Sequence, residues 1–76
     1  MLTTAILYTM KGCSKCKIMK GFLQEQKIPF DEVDILEKPE RSNEIFQMNS
    51  EIIVPFLYYQ GVSYMYHSEW RDKLKI

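Results

Sequence analysis

Within its first 35 residues the chain changes hydrophobic period twice, and this restricts the fold more than any other feature. Residues 4–9 (TAILYT) are apolar, β-branched and aromatic, as a buried strand requires. Met10-Lys11-Gly12 forms a short loop, with Gly12 as the breaker. From Ser14 to about Gln26 the period becomes helical, with Ile18, Met19, Phe22 and Leu23 on one stripe and Lys17, Lys20, Gln24 and Lys27 pointing away. Pro29 ends the connection. Phe30 to Ile35 (FDEVDI) then alternates apolar and acidic residues, with Phe30, Val33 and Ile35 expected inward or partly so. Two strands joined by a helix run parallel through a right-handed crossover, so the first half of the topology is already narrow.

The second half completes it. Pro39 suits the first turn of a second helix, Ile45, Phe46 and Met48 supply an apolar face, and Asn49 is the expected left-handed cap. Ile52 to Val54 leads into Pro55. Phe56–Tyr59 and Val62–Tyr66 read as strands joined by a Gln60-Gly61 hairpin turn. Ser68, Glu69 and Asp72 can cap a last short helix, Trp70 to Leu74. The order is β-α-β-α-β-β-α: an α/β chain whose four-stranded mixed sheet is covered by helices.

At 76 residues one domain is expected. Lys plus Arg and Asp plus Glu number 10 each, a balance that argues against a general nucleic-acid binder. No apolar run is long enough to span a membrane, and MLTTAILYTM reads as a strand rather than a signal peptide. The expected setting is the cytoplasm. Thiols are kept reduced there, so a close cysteine pair points to catalysis or metal binding rather than to a staple.

That pair is Cys13 and Cys16, in M-K-G-C-S-K-C-K where the strand ends and the helix begins. Unpaired N–H groups and the macrodipole at a helix N-terminus favour negative charge, and the thiolate is the nucleophilic form of cysteine. Cys13 lies at the cap and is assigned the attack. Cys16 falls one turn below on the same face, within reach of a mixed disulfide on Cys13. Lys11, Lys15, Lys17, Lys20 and Lys27 cluster around and after the cysteines, and Asp31, Glu32, Asp34, Glu37, Glu40 and Glu44 follow. These are either two solvated faces of opposite sign or, for the lysines, positive potential at a thiolate. A closed zinc site wants four protein ligands, and the chain offers two cysteines and His67. A metal or iron–sulfur cluster bridging two chains is the remaining alternative use of the thiolates.

In Tyr8-Thr9, Gly12-Cys13-Ser14-Lys15-Cys16, Ile28-Pro29-Phe30, Asp34 and Val54-Pro55, the chain resembles the glutaredoxin family over residues 4–62. The resemblance implies a thioredoxin-like fold and thiol–disulfide exchange, with no bound cofactor. It implies a cis Pro55 facing Cys13, with Val54-Pro55 pairing its backbone to an extended substrate segment. Lys11, Ser14 and Tyr8 join Val54 and Pro55 as candidate substrate-binding residues beside the catalytic Cys13 and Cys16. Ser14 stands next to Cys13, where it could cap the helix or donate to the thiolate. The expected partner is a disulfide-containing protein, and the expected acting form is a monomer.

Departures from the family carry information. Ser14-Lys15 replaces the common Pro-Tyr, and Met10 stands where a lysine is frequent. The family's Gly-Gly-acidic segment near the glutathione γ-glutamyl site is replaced by Tyr66, His67, Ser68 and Glu69. The tail His67-Ser68-Glu69-Trp70-Arg71 is similar to the W-S-G-F-R segment of glutaredoxin-like redoxins that serve ribonucleotide reductase. Those take their reducing equivalents from thioredoxin reductase and NADPH, whereas glutathione is the reductant of the wider family. His67 is expected to be a solvated loop residue, and Trp70 a packing residue.

Overall fold

A computed structural model of the chain describes residues 5–66 together with Trp70 and Leu74. The elements are β1 (Ala5–Thr9), α1 (Ser14–Glu25), β2 (Phe30–Asp34), a 3-10 turn (Pro39–Arg41), α2 (Ser42–Asn49), β3 (Phe56–Tyr59) and β4 (Val62–Met65). The four strands form one mixed sheet in the order β2-β1-β3-β4. β1 and β2 pair in parallel, from Ala5 opposite Phe30 to Thr9 opposite Asp34. β3 runs antiparallel to β1, with Tyr8 opposite Phe56, and β4 antiparallel to β3. The Gln60-Gly61 turn has positive φ at both residues (51° and 78°), the geometry that matches strand twist in a two-residue hairpin.

β1 is apolar or aromatic from Ala5 to Tyr8 because the sheet is packed on both faces. Ala5 and Leu7 pack with Met19 and Leu23 of α1, and with Ile28, Leu57, Tyr64, Trp70 and Leu74. Tyr8 points the other way and packs with Val33, Phe56 and Ile45 of α2. Inward therefore has two directions along β2: Phe30 leans on the α1 core and Ile35 on the α2 core.

Three expectations need correction. The buried stripe of α1 runs through Cys16, Met19 and Leu23, which leaves Ile18 44% exposed. Residues 16, 19 and 23 follow the three- and four-residue spacing of one helical face, and Ile18 sits to the side of it. In α2 only Ile45 is buried, whereas Phe46 and Met48 are exposed, because an eight-residue helix lays little more than one side chain on the sheet. The left-handed cap of α2 is Ser50 (φ 66°), not Asn49, and its N–H donates to Phe46 O at 2.7 Å. α1 ends without glycine: Lys27 takes φ 58°, and the N–H groups of Lys27 and Ile28 return to Gln24 O and Leu23 O.

Of the last expected helix, Trp70 and Leu74 are described. Leu74 N–H donates to Trp70 O at 2.9 Å, one helical turn's bond. Trp70 meets Phe22 edge-on at 5.0 Å and donates its Nε1–H to Tyr66 O, a packing role as expected. His67, Ser68, Glu69, Arg71 and Asp72 lie outside the described residues.

Candidate active site

The loop after β1 closes on itself before the helix starts. Cys13 N–H donates to Met10 O at 3.1 Å, and Gly12 sits at φ 86°, a region that side-chain-bearing residues avoid. This turn delivers Cys13 to the N-cap of α1 with extended backbone (φ −87°, ψ 111°). Its Sγ accepts the N–H of Cys16 at 3.1 Å, the contact an Asp or Ser side chain makes at an ordinary N-cap. The first turn of α1 carries no acidic residue, so no side-chain charge there competes with a negative sulfur. Ser14 is exposed on that first turn, and the cap is Cys13 itself rather than Ser14.

The two sulfurs have unlike surroundings. Both are free thiols, with Cys13 half-buried and Cys16 only 4% exposed. Burial pushes the Cys16 thiol up to about 12, with hydrogen bonding to Cys13 and the charges of Cys13 and Glu32 adding to the rise. A backbone hydrogen bond from Met10 pulls the other way. At neutral pH Cys16 is a protonated reserve beneath a more accessible partner.

A cavity of about 230 Å³ opens beside the pair, lined by Thr9, Lys11, Cys13, Cys16, Lys17, Lys20, Glu32 and Asp34 among others. Lys20 Nζ lies 2.7 Å from Glu32 Oε1, and Thr9 Oγ1–H donates to Glu32 Oε2 at 3.1 Å. Lys20 therefore does not simply point to solvent. Sequence reasoning named Lys20 only as one of several lysines that could lend positive potential to the thiolate, and gave Thr9 and Glu32 no role in this site. The i,i+4 spacing of Cys16 and Lys20 was visible, but placing Glu32 needs the β1–β2 register, where it stands opposite Leu7.

Val54-Pro55 has a cis peptide bond, as the family resemblance implied. Pro55 is buried and precedes Phe56, which pairs with Tyr8 near the end of β1, so Val54-Pro55 and Cys13 lie at one end of the sheet. Lys11 lines the cavity. Lys15 is exposed and holds its ammonium 5.4 Å from the centre of the Tyr66 ring, a cation–π contact. Tyr8 is a correction. It is 1% exposed on the α2 face, and its hydroxyl donates to Glu44, which also takes Arg41 Nε at 2.5 Å. Burial and Glu44 push that hydroxyl up to about 12, so Tyr8 joins α2 to the sheet and is turned away from the cysteine cavity. Among the described residues no group of three or more His, Cys, Asp or Glu is arranged to hold a metal ion. None of their helices is long and apolar enough to cross a membrane.

The family model described as Glutaredoxin matches residues 5–64. Over 42 residues, 55% of this chain, the sequence is 38% identical to the glutaredoxin-like protein NrdH of Lactococcus lactis subsp. lactis (strain IL1403), of which the match spans 58%. Over 43 residues it is 37% identical to N-acetyl-S-hydroxy-L-cysteine reductase of Bacillus subtilis (strain 168), covering 57% of this chain and 45% of that protein. The match thus spans about half the length of these curated relatives. The crystal structure of the thioredoxin-like protein BC3987 superposes with a TM-score of 0.82 at 21% identity, over 93% of this chain and 99% of that one, which shows the fold.

Proposed function

The chain belongs to the glutaredoxin family, and from that premise we propose that it is a dithiol redoxin that reduces protein disulfides through Cys13 and Cys16. Thiol–disulfide exchange is the common chemistry of the family, and the asymmetry of the two sulfurs carries the finer reading. Cys13 is half-buried and receives an N–H at the helix cap, whereas Cys16 is buried and held as a thiol. Cys13 sulfur attacks a substrate disulfide, one substrate sulfur leaves, and a mixed disulfide remains on Cys13. Cys16 then displaces the second substrate sulfur and closes the Cys13–Cys16 bridge, which a reductant reopens. Lys11, Ser14 and the Val54-Pro55 segment are the residues proposed to meet the substrate chain.

A flavoprotein reductase of the thioredoxin reductase kind, fed by NADPH, is the proposed source of electrons, and ribonucleotide reductase a proposed recipient. One observation supports this over glutathione: Tyr66 begins the stretch that stands in place of the family's Gly-Gly, and Lys15 lies over its ring. The Lactococcus relative is named glutaredoxin-like protein NrdH.

The test is a redox titration in glutathione buffers, quenched by alkylation and read by mass. One two-electron step joining Cys13 to Cys16, with no glutathione adduct, is expected. A glutathione adduct accumulating on Cys13 would reassign the protein to glutathione-dependent reduction. Cys16→Ser should trap the protein partner on Cys13 and abolish turnover. A metal or an iron–sulfur absorption band in the purified protein would instead favour the carrier alternative.

A further inference from the structure

Resolution of the mixed disulfide makes a demand that the two cysteines alone do not meet. Cys16 must attack as a thiolate, yet its sulfur is buried and protonated in the resting protein. Its proton has to go somewhere at the moment of attack. The cavity beside the pair supplies a place. Its charged and titratable groups besides Cys16 are Lys11 from the loop, Cys13 at the cap of α1, Lys17 and Lys20 along that helix, and Glu32 and Asp34 from β2. Of these, Glu32 and Asp34 bring carboxyl oxygens as acceptors, whereas lysine ammonium groups only donate. Asp34 is committed to the turn after β2, where its Oδ1 accepts Leu36 N–H at 2.8 Å. Glu32 is held at both oxygens, by Lys20 and by Thr9, and its charge acts on Cys16.

We propose that Glu32, oriented by Lys20 and Thr9 in the cavity shared with both cysteines, is the proton acceptor for Cys16 when it resolves the mixed disulfide. The proposal rests on the dithiol reading above. The cavity has room for several waters at about 30 Å³ each, so the proton has a bridge to travel. The balance is as follows. The Cys16 S–H proton passes to the Glu32 carboxylate as Cys16 sulfur attacks Cys13 sulfur. The Cys13–Cys16 bond forms and the bond from Cys13 to the substrate breaks. The substrate sulfur leaves with the electron pair and takes up a proton from solvent. The two cysteines are oxidised and the substrate disulfide is reduced. Glu32 is 37% exposed and Lys20 40%, so the carboxylate then returns its proton to water.

The opposite role is also physically coherent and makes the test sharp. A carboxylate that merely repels a thiolate would hinder resolution, and its removal would speed the step. Reduced protein is mixed in a stopped-flow instrument with an aromatic disulfide that releases a coloured thiolate. The first phase, which depends on reagent concentration, reports attack by Cys13. The second, which does not, reports resolution by Cys16. In the wild type the second phase should vary little between about pH 6 and 9, because the proton is handed to a carboxylate rather than to hydroxide. In Glu32→Gln it should slow at least about tenfold at neutral pH and then rise about tenfold per pH unit, as only preformed thiolate reacts. The first phase should stay within about twofold, and Glu32→Asp should recover part of the rate. The side chain is partly exposed, and an unchanged urea midpoint will confirm that the variants are folded. A second phase in Glu32→Gln as fast as wild type or faster, with the same pH profile, overturns the proposal and leaves the dithiol reading standing. Absence of any second phase in the wild type overturns both.

Discussion

The burial of Cys16 can be read directly from its chemistry. Cys13→Ser leaves Cys16 as the only thiol, and serine keeps an oxygen that can accept the Cys16 N–H at the helix cap. In the native protein the Cys16 thiol is pushed from an ordinary 9.0 up to about 12, with burial the largest cause. Three units lower the thiolate fraction at pH 8 about a thousandfold. Nucleophilicity rises with basicity at about 0.4–0.5 per unit and returns a factor of about 20, so the net slowing is about fiftyfold. Replacing Cys13 removes its hydrogen bond and charge from Cys16 but leaves burial, the largest cause, and exposure of only 4% adds steric protection, so slowing on the order of fiftyfold is expected. The assay is alkylation by iodoacetamide, followed by mass, in the folded variant and in the same variant unfolded in urea. The folded rate should be slower on the order of fiftyfold and keep climbing past pH 10, while the unfolded rate levels off near the ordinary thiol value. Folded Cys16 that reacts within a few-fold of the unfolded chain, with a plateau near pH 9, would refute the assignment of Cys16 as the buried resolving thiol.

Three further outcomes follow from the same geometry. Gly12→Ala places a Cβ in open space but on a backbone at φ 86°, so it should cost about 1–2 kcal/mol from conformation alone and slow the Cys13 reaction, measured by urea titration and thiol kinetics. Ile45→Ala removes the only buried side chain of α2, and should cost about 3 kcal/mol in urea unfolding, a large share of what a small domain has. Both Cys16 and Tyr8 hold their protons longer when folded, so between about pH 9 and 12 the native state binds more protons than the unfolded chain. Stability should therefore be full below pH 9 and fall as pH rises through that window; a flat urea midpoint from pH 8 to 11 would contradict it.

Much of the site was legible because its signals are local. The switch of period at Gly12, the cap position of Cys13 and the one-turn offset of Cys16 depend only on residues within a helical turn of one another. So do the Gln60-Gly61 hairpin and the β-α-β order. Local spacing was less reliable where burial decides. Ile18 and Phe46 look like core residues by period, yet α1 and α2 lie on the sheet through Cys16, Met19, Leu23 and Ile45. Tyr8 stands five residues before Cys13, close to the cysteines along the chain, but strand alternation turns its ring to the opposite face of the sheet.

Periodicity, turn chemistry and capping act between neighbours, so the redox pair, its place at a strand-to-helix junction and the fold class can be read from residue order alone. Which charges share the cavity with that pair is set by long-range packing. Thr9, Lys20 and Glu32 come from three elements, and what brings them together is the parallel register of β1 and β2 with α1 packed across it. Register is set by how a whole strand buries its apolar face against its neighbours, a cooperative choice that no short window of sequence contains.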